Sequence, residues 1–175
     1  MSLPPWGEEV LSKKHERKSF DCGVEALNRY LQEYAWQNQK SGVSKTIVAV
    51  PEGRPTQILG YYSLAPTSID FEQIPKDLAR RLPRYPIPAY LLARLAVDKS
   101  IQGAGLGGQL LLGAGERCLA AAVEVGGVFM MIEAKDEEAA LWYERFGAVR
   151  ADANELLLML PLTSIEAALK AADVR

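Results

Sequence analysis

Histidine and cysteine are almost missing from this chain of 175 residues, which carries one His and two Cys. A single histidine, His15, excludes any multi-histidine metal site and leaves Ser-His-Asp and Cys-His chemistry resting on one residue. Cys22 and Cys118 are too far apart in sequence for the close ligand spacing of zinc, and two cysteines give no disulfide framework. Both are read as buried, reduced thiols, and no metal is expected. Apolar runs of the roughly 18 to 20 residues needed to cross a bilayer are absent, and so is the basic-then-apolar pattern of a signal peptide. The expected setting is therefore the cytoplasm, with no membrane partner.

What the chain does have is ordinary globular composition, 49% hydrophobic against 24% charged, and the length of one domain. Net charge is −2, with 14 Lys and Arg against 11 Asp and Glu in residues 1–100 and 6 against 11 thereafter. Two basic clusters stand out: Lys13, Lys14, Arg17 and Lys18, then Lys76, Arg80, Arg81 and Arg84. Both read first as solvated surface.

Hydrophobic periodicity predicts an amphipathic helix over residues 21–39, with Asp21 as its N-cap and an end near Gly42. Thr46–Val50 and Gln57–Ala65 read as two antiparallel strands joined by the turn Pro51–Pro55. Helical propensity returns over Phe71–Leu82, after which Pro83, Pro86 and Pro88 force an extended connection. Tyr90–Val97, apolar except for Arg94, predicts a strand covered on both faces. Leu111 to Val125 repeats at helical spacing and is stopped by Gly126 and Gly127. Val128–Glu133 is the next strand. Asp136 is expected to cap a helix that buries Ala140, Trp142 and Phe146 and ends at Gly147, and Glu155–Leu160 is the last strand. The fold expected is α/β in the α+β sense: one domain over 1–175, with residues 1–10 as a candidate flexible lead and 163–175 as a C-terminal helical tail.

Between the Tyr90–Val97 strand and the helix after it lies Gln102-Gly103-Ala104-Gly105-Leu106-Gly107-Gly108. Glycines let successive backbone N–H groups converge, and a helix N-terminus adds its dipole, so this loop can hold a diphosphate without lysine. Gly103, Gly105 and Gly108 also satisfy the dinucleotide pattern G-x-G-x-x-G, with Glu133 as a ribose acid. That reading ranks well behind because Asp98 to Gln102 separate strand from glycine, and too few strands follow for a doubly wound sheet. Gly113 and Gly115 lie inside the predicted helix at a cost of about 1 kcal/mol each, serving close packing or merely tolerated.

The pattern Gln-x-x-Gly-x-Gly at 102–107 resembles the coenzyme A signature of the GNAT acetyltransferases. The stretches Phe20-Asp21-Cys22-Gly23 through Leu27, Gly60 through Ala65, Leu92 through Asp98, and Trp142 through Gly147 narrow the resemblance to the GNAT toxins of bacterial toxin–antitoxin pairs. The similarity covers roughly residues 20–162. It implies a mostly antiparallel mixed sheet splayed around coenzyme A and flanked by helices, acetyl-CoA as cosubstrate, and acetyl transfer to the α-amine of aminoacyl-tRNA. It also implies a homodimer and a ribbon-helix-helix antitoxin.

Carried over by position, the resemblance assigns the pyrophosphate to Gln102, Gly103, Ala104, Gly105, Leu106, Gly107 and Gly108, pantetheine to the backbone of Leu95, Ala96 and Val97, and the general acid to Tyr143. A backbone N–H near Ala96 or Val97 would meet the thioester oxygen. Asp98 and Glu133 are available as a base, although an α-amine with a reference pKa of about 8 makes a dedicated base unnecessary. Arg94 either reaches a phosphate or pairs with a core carboxylate. With Lys13, Lys14, Arg80, Arg81 and Arg84 it forms the candidate substrate-binding set. His15 reads as a surface or packing residue. Three rival functions remain: acetylation of a small amine or protein N-terminus, which an acidic chain suits, a catalytically silent coenzyme A module acting through an antitoxin, and, last, a nicotinamide-binding oxidoreductase.

Overall fold

The computed structural model describes residues 2–173. Seven strands follow the hydrogen-bonded order β1-β2-β3-β4-β5-β7-β6, and Cα proximity divides the residues into two compact units. One comprises the chain up to Ala65 with Ala93–Ala114; the other comprises Pro66–Leu92 with the chain from Gly115 onward. Residues 1, 174 and 175, including the end of the expected tail, lie outside the description.

In the first unit, β1 (Trp6–Val10) pairs antiparallel with β2 (Lys45–Pro51), which pairs antiparallel with the start of β3 (Gly60–Ile69). The β2–β3 hairpin agrees with the sequence reading. β1 is new, because Gly7, Glu8 and Glu9 dilute the apolar signal in the segment expected to be a flexible lead. The predicted first helix is there but starts later: α1 (Glu25–Arg29), a π-turn (Tyr30–Tyr34) and α2 (Ala35–Lys40) run in succession. Asp21 is not its cap. Val24 holds that position without a side-chain bond, while the Asp21 Oδ1 accepts from the Gly23 N–H in the preceding turn and from Asn28 Nδ2 in α1. Gly42 ends the segment in the left-handed region, as its position after the helix suggests. A core of Leu11, Phe20, Leu31, Val48, Tyr61 and Ala96 lies beneath these helices. Gln39 ties helix to sheet, donating to the Leu11 carbonyl at 2.7 Å and accepting from the Thr46 N–H at 2.9 Å.

In the second unit the helix expected over Phe71–Leu82 breaks into a 3₁₀ turn (Phe71–Gln73) and α3 (Lys76–Ala79), because Pro75 disfavours helix at Ile74, which is extended. β4 (Ile87–Val97) starts three residues earlier than predicted. Its parallel ladder with β5 (Phe129–Glu133) covers Ala89–Leu92 against Phe129–Ile132, and β4 runs five residues further. Most of β4 beyond Leu92 is half-buried rather than covered on both faces. β5 pairs antiparallel with β7 (Asn154–Pro161), and β7 with β6 (Val149–Ala151), a strand too short for a periodic signal. Helix α4 (Leu106–Val125) ends at Gly126 and Gly127, both at positive φ. Helix α5 (Glu137–Glu144) is capped by Asp136 as predicted, its Oδ1 accepting from the Ala139 N–H at 2.8 Å. Helix α6 is Leu162–Asp173. Added at Gly115, a Cβ would fall 2.8 Å from the Ile165 side chain of α6, and at Gly113 it would collide with the Glu8 carboxylate. The helical glycines therefore serve close approach.

Candidate coenzyme loop and catalytic tyrosine

The loop after β4 is built from the backbone outward. Asp98 ends the strand and caps a single 3₁₀ turn (Lys99–Ile101), its Oδ1 accepting from the Ser100 N–H at 3.0 Å. Its other oxygen accepts from the Asp21 N–H at 3.0 Å. Each oxygen of Asp98 thus accepts from a backbone N–H, which gives the carboxylate a structural role at the start of the loop. Gly103 and Gly105 follow at φ +85° and +91°, and a Cβ at either would meet nothing within 4 Å. Helix α4 starts at once: the Gln109 N–H reaches the Gly105 carbonyl, and the N–H groups of Leu106, Gly107 and Gly108 belong to the first turn, which no helix can satisfy internally. Open glycine surfaces beside a 20-residue helix N-terminus fit a diphosphate.

Gln102 has a role that its place in the signature does not reveal. Its Nε2 donates to the Val97 carbonyl and to the Cys22 carbonyl, both at 2.9 Å, so the side chain straps the end of β4 to the Phe20–Gly23 turn. The same turn grips the loop through Asp21, whose carbonyl accepts from the Lys99 N–H at 2.8 Å and whose Oδ2 pairs with Lys99 Nζ at 2.9 Å. The Lys99 ammonium, then Asn28 and the Gly23 N–H, hold the Asp21 carboxyl down to about 2. Sequence reasoning noted Phe20–Gly23 only as a family stretch. The structure makes it the brace of the glycine loop. Beside it, Gly60 packs so tightly that a Cβ would fall 2.9 Å from the Ala96 carbonyl oxygen and from Leu110.

Tyr143 lies on α5 in the second unit. The helix buries Ala140 and Tyr143, whereas Trp142 is half-buried and Phe146 is 45% exposed, so the expected inward face is rotated. Trp142 meets the Tyr143 ring edge-on with centroids 5.0 Å apart. Burial pushes the Tyr143 phenol up to about 12. Its hydroxyl makes no hydrogen bond among the described residues, yet no buried polar side-chain atom there lacks a partner, so the hydroxyl tip reaches solvent. A protonated phenol on a buried ring with an open tip can donate a proton.

The remaining candidates divide. Arg94 is half-buried with its guanidinium 4.6 Å over the Tyr30 ring, and its Nη1 donates to the Ala93 carbonyl. The expected carboxylate partner is not found among the described residues. Lys14 pairs with Glu9 at 2.8 Å, while Lys13 is exposed. Arg80 and Arg84 line a cleft of about 590 Å³ with Lys76 and Phe71, and Arg81 is exposed nearby in the chain. Glu133 is exposed at the end of β5. His15 is buried, not superficial: its Nδ1 accepts from the Ser12 N–H at 3.0 Å, which leaves Nε2 protonated and donating to Glu9 Oε1 at 3.1 Å. No group of His, Cys, Asp and Glu among the described residues could hold a metal, and no helix there is long and apolar enough to cross a membrane.

A sheet with one parallel strand pair flanked by helices, and a glycine loop opening α4, define the GNAT fold of acetyl-CoA-dependent acetyltransferases. No protein-family model matches the sequence. Over 150 residues the chain is 35% identical to a tRNA-acetylating toxin of Mycobacterium tuberculosis, covering 86% of this chain and 88% of that protein. A tyrosine-to-phenylalanine mutant of KacT superposes with a TM-score of 0.88 at 30% identity, covering 94% of this chain and 99% of that one. AtaT complexed with acetyl-methionyl-tRNAfMet gives a TM-score of 0.87 at 29% identity, covering 94% and 99%. The chain belongs to the tRNA-acetylating toxins, a family of GNAT acetyltransferases.

Proposed function

We propose that this chain transfers the acetyl group of acetyl-CoA to the α-amine of aminoacyl-tRNA and so blocks translation, as the toxin of a toxin–antitoxin pair. The observation that carries this reading is the braced loop Gln102–Gly108, whose open glycines at the start of α4 suit the coenzyme pyrophosphate. Relatives add support, since AtaT has been captured with acetyl-CoA as well as with its acetylated tRNA. Acetyl-CoA supplies an acetyl group already activated as a thioester. Leu95, Ala96 and Val97 offer backbone groups to its pantetheine, and a backbone N–H at Ala96 or Val97 polarises the carbonyl. Tyr143 then gives its phenolic proton to the departing thiolate. The amine needs no dedicated base at neutral pH, because its reference pKa is about 8. Arg94, Lys13, Lys14, Arg80, Arg81 and Arg84 attract the RNA backbone.

The chain is further proposed to act in the cytoplasm as a homodimer and to be neutralised by a ribbon-helix-helix antitoxin, in keeping with the AtaT–AtaR and KacT–KacA complexes. A net charge of −2 favours one second reading, a small amine or protein N-terminus as acceptor. Labelled acetyl from acetyl-CoA, offered to charged and uncharged tRNA, separates these. Label in charged RNA alone is expected. Thiol release with a small amine and no labelled RNA would discard the tRNA, and silence in both would leave only a coenzyme-binding module working through its antitoxin.

A further inference from the structure

The acetyl-transfer chemistry leaves the pairing of Tyr30 with Arg94 unused. Tyr30 opens the π-turn Tyr30–Tyr34, a helical irregularity frequent at functional sites. Its ring is fixed in several ways. It stacks on Tyr61 with centroids 6.4 Å apart and planes 14° from parallel, and its hydroxyl meets Ser44 Oγ at 3.1 Å and Asn38 Nδ2 at 3.5 Å. The Arg94 guanidinium lies 4.6 Å over that fixed ring. A ring face attracts a guanidinium but cannot accept from its N–H edge. Of five N–H donors Arg94 uses one, on its own neighbour's carbonyl, and it forms no ion pair among the described residues. A half-buried cation seated over a ring, with most of its planar fork free, matches the two oxygens of a phosphate.

We propose that Arg94 takes a phosphodiester of the RNA acceptor on this free edge, and that Tyr30 is the positioning residue whose ring holds the guanidinium in place for it. The assignment rests on aminoacyl-tRNA being the substrate. Arg94 lies two residues before Ala96, and Ala96 shares a core with Tyr30 and Tyr61. It is about 10 Å along the strand from Val97, at roughly 3.3 Å per residue, where the coenzyme loop approaches. The coenzyme pyrophosphate has its own seat in that loop, so the phosphate left for Arg94 is the acceptor's. A guanidinium beside the strand that holds the thioester meets the nucleotides next to the reacting amine.

The test compares two acceptors, a charged tRNA and an amino-acid amide that has an α-amine but no phosphate, and adds acetyl-CoA binding by calorimetry. For Arg94→Met the expected result is a KM for charged tRNA raised about tenfold and a salt slope reduced by about one. Its kcat/KM on the amide and its acetyl-CoA affinity should stay within twofold of the parent. Tyr30→Leu should copy this profile and add nothing when combined with Arg94→Met, whereas Tyr30→Phe, which keeps the ring under the guanidinium, should restore the parent KM. An Arg94→Met protein with unchanged KM for charged tRNA overturns the proposal and leaves the substrate reading standing. Weakened acetyl-CoA binding would reassign Arg94 to the coenzyme, and equal losses on both acceptors in Tyr30→Leu would reduce Tyr30 to packing. A parent protein that acetylates the amide but no charged tRNA removes the substrate reading itself, and this assignment with it.

Discussion

The glycine loop and the Tyr143 helix are held by opposite means. Residues 97–102 are strapped by side-chain and ionic contacts from Asp21, Asp98, Lys99 and Gln102, and those contacts are exposed or only partly buried. Tyr143 makes no such bond and is held by the burial of its ring. A loop that must match a charged ligand needs directional contacts, because burial fixes volume and not the aim of an N–H. A proton donor needs its tip placed and its proton retained at working pH, which a dry ring socket accomplishes.

Breaking the contrast at its catalytic end gives the largest effect. Tyr143→Phe should lower acetyl transfer by roughly 10² to 10⁴-fold while leaving acetyl-CoA affinity within twofold, read by single-turnover rates beside calorimetry. Next comes the loop itself. Gly105→Ala forces a side chain into the left-handed region at about 1–2 kcal/mol, so KM for acetyl-CoA should rise about five- to thirtyfold with kcat little changed. At Gly60, alanine would press on the Ala96 carbonyl and on Leu110, an overpacking of about 1–3 kcal/mol that should lower the melting temperature by several degrees.

A pH series sharpens the same contrast. With Tyr143 raised to about 12, the donor stays protonated across the working range, and kcat/KM should climb with pH through about 8 as the amine loses its proton. A downturn between pH 8 and 10 that Tyr143→Phe abolishes would contradict this. Because the folded value lies above the unfolded value of 10, Tyr143 favours the folded state below pH 10, and that contribution fades as pH rises toward 12. Asp21 runs the other way. Its depressed carboxyl supports the brace above pH 4 and loses that support as pH falls toward 2, so acetyl-CoA affinity should be flat from pH 5 to 9. The smallest effect belongs to Cys118, whose thiol is pushed up to about 12 by burial. Alkylating reagent at neutral pH should leave it unmodified by mass spectrometry.

What could be read in advance followed from local chemistry. Asp136 before a helical run, Gly126 and Gly127 after one, and the β2–β3 hairpin are each specified by a few neighbouring residues. Misreadings arose where distant contacts decide. Asp21 has the composition of a helix cap, but Lys99 and Asn28, far along the chain or beyond the turn, recruit its carboxylate. Trp142 and Phe146 are larger apolar surfaces than Tyr143, yet the packing of α5 buries the tyrosine. The π-turn leaves no periodic signature, since one extra residue in a ring shifts the pattern by less than composition blurs it. The glycines of the coenzyme loop were legible as a motif. The brace around them was not, because it is made of residues 80 positions apart in sequence.

The strap formed by Gln102 also sets a limit on the chemical lifetime of the enzyme. One amide nitrogen faces two carbonyl oxygens, at Cys22 and Val97, and both contacts depend on its being a donor. Deamidation of this exposed side chain would replace nitrogen by oxygen at constant volume. Both attractions would become repulsions, and an aged molecule would lose the strap on its proposed coenzyme loop.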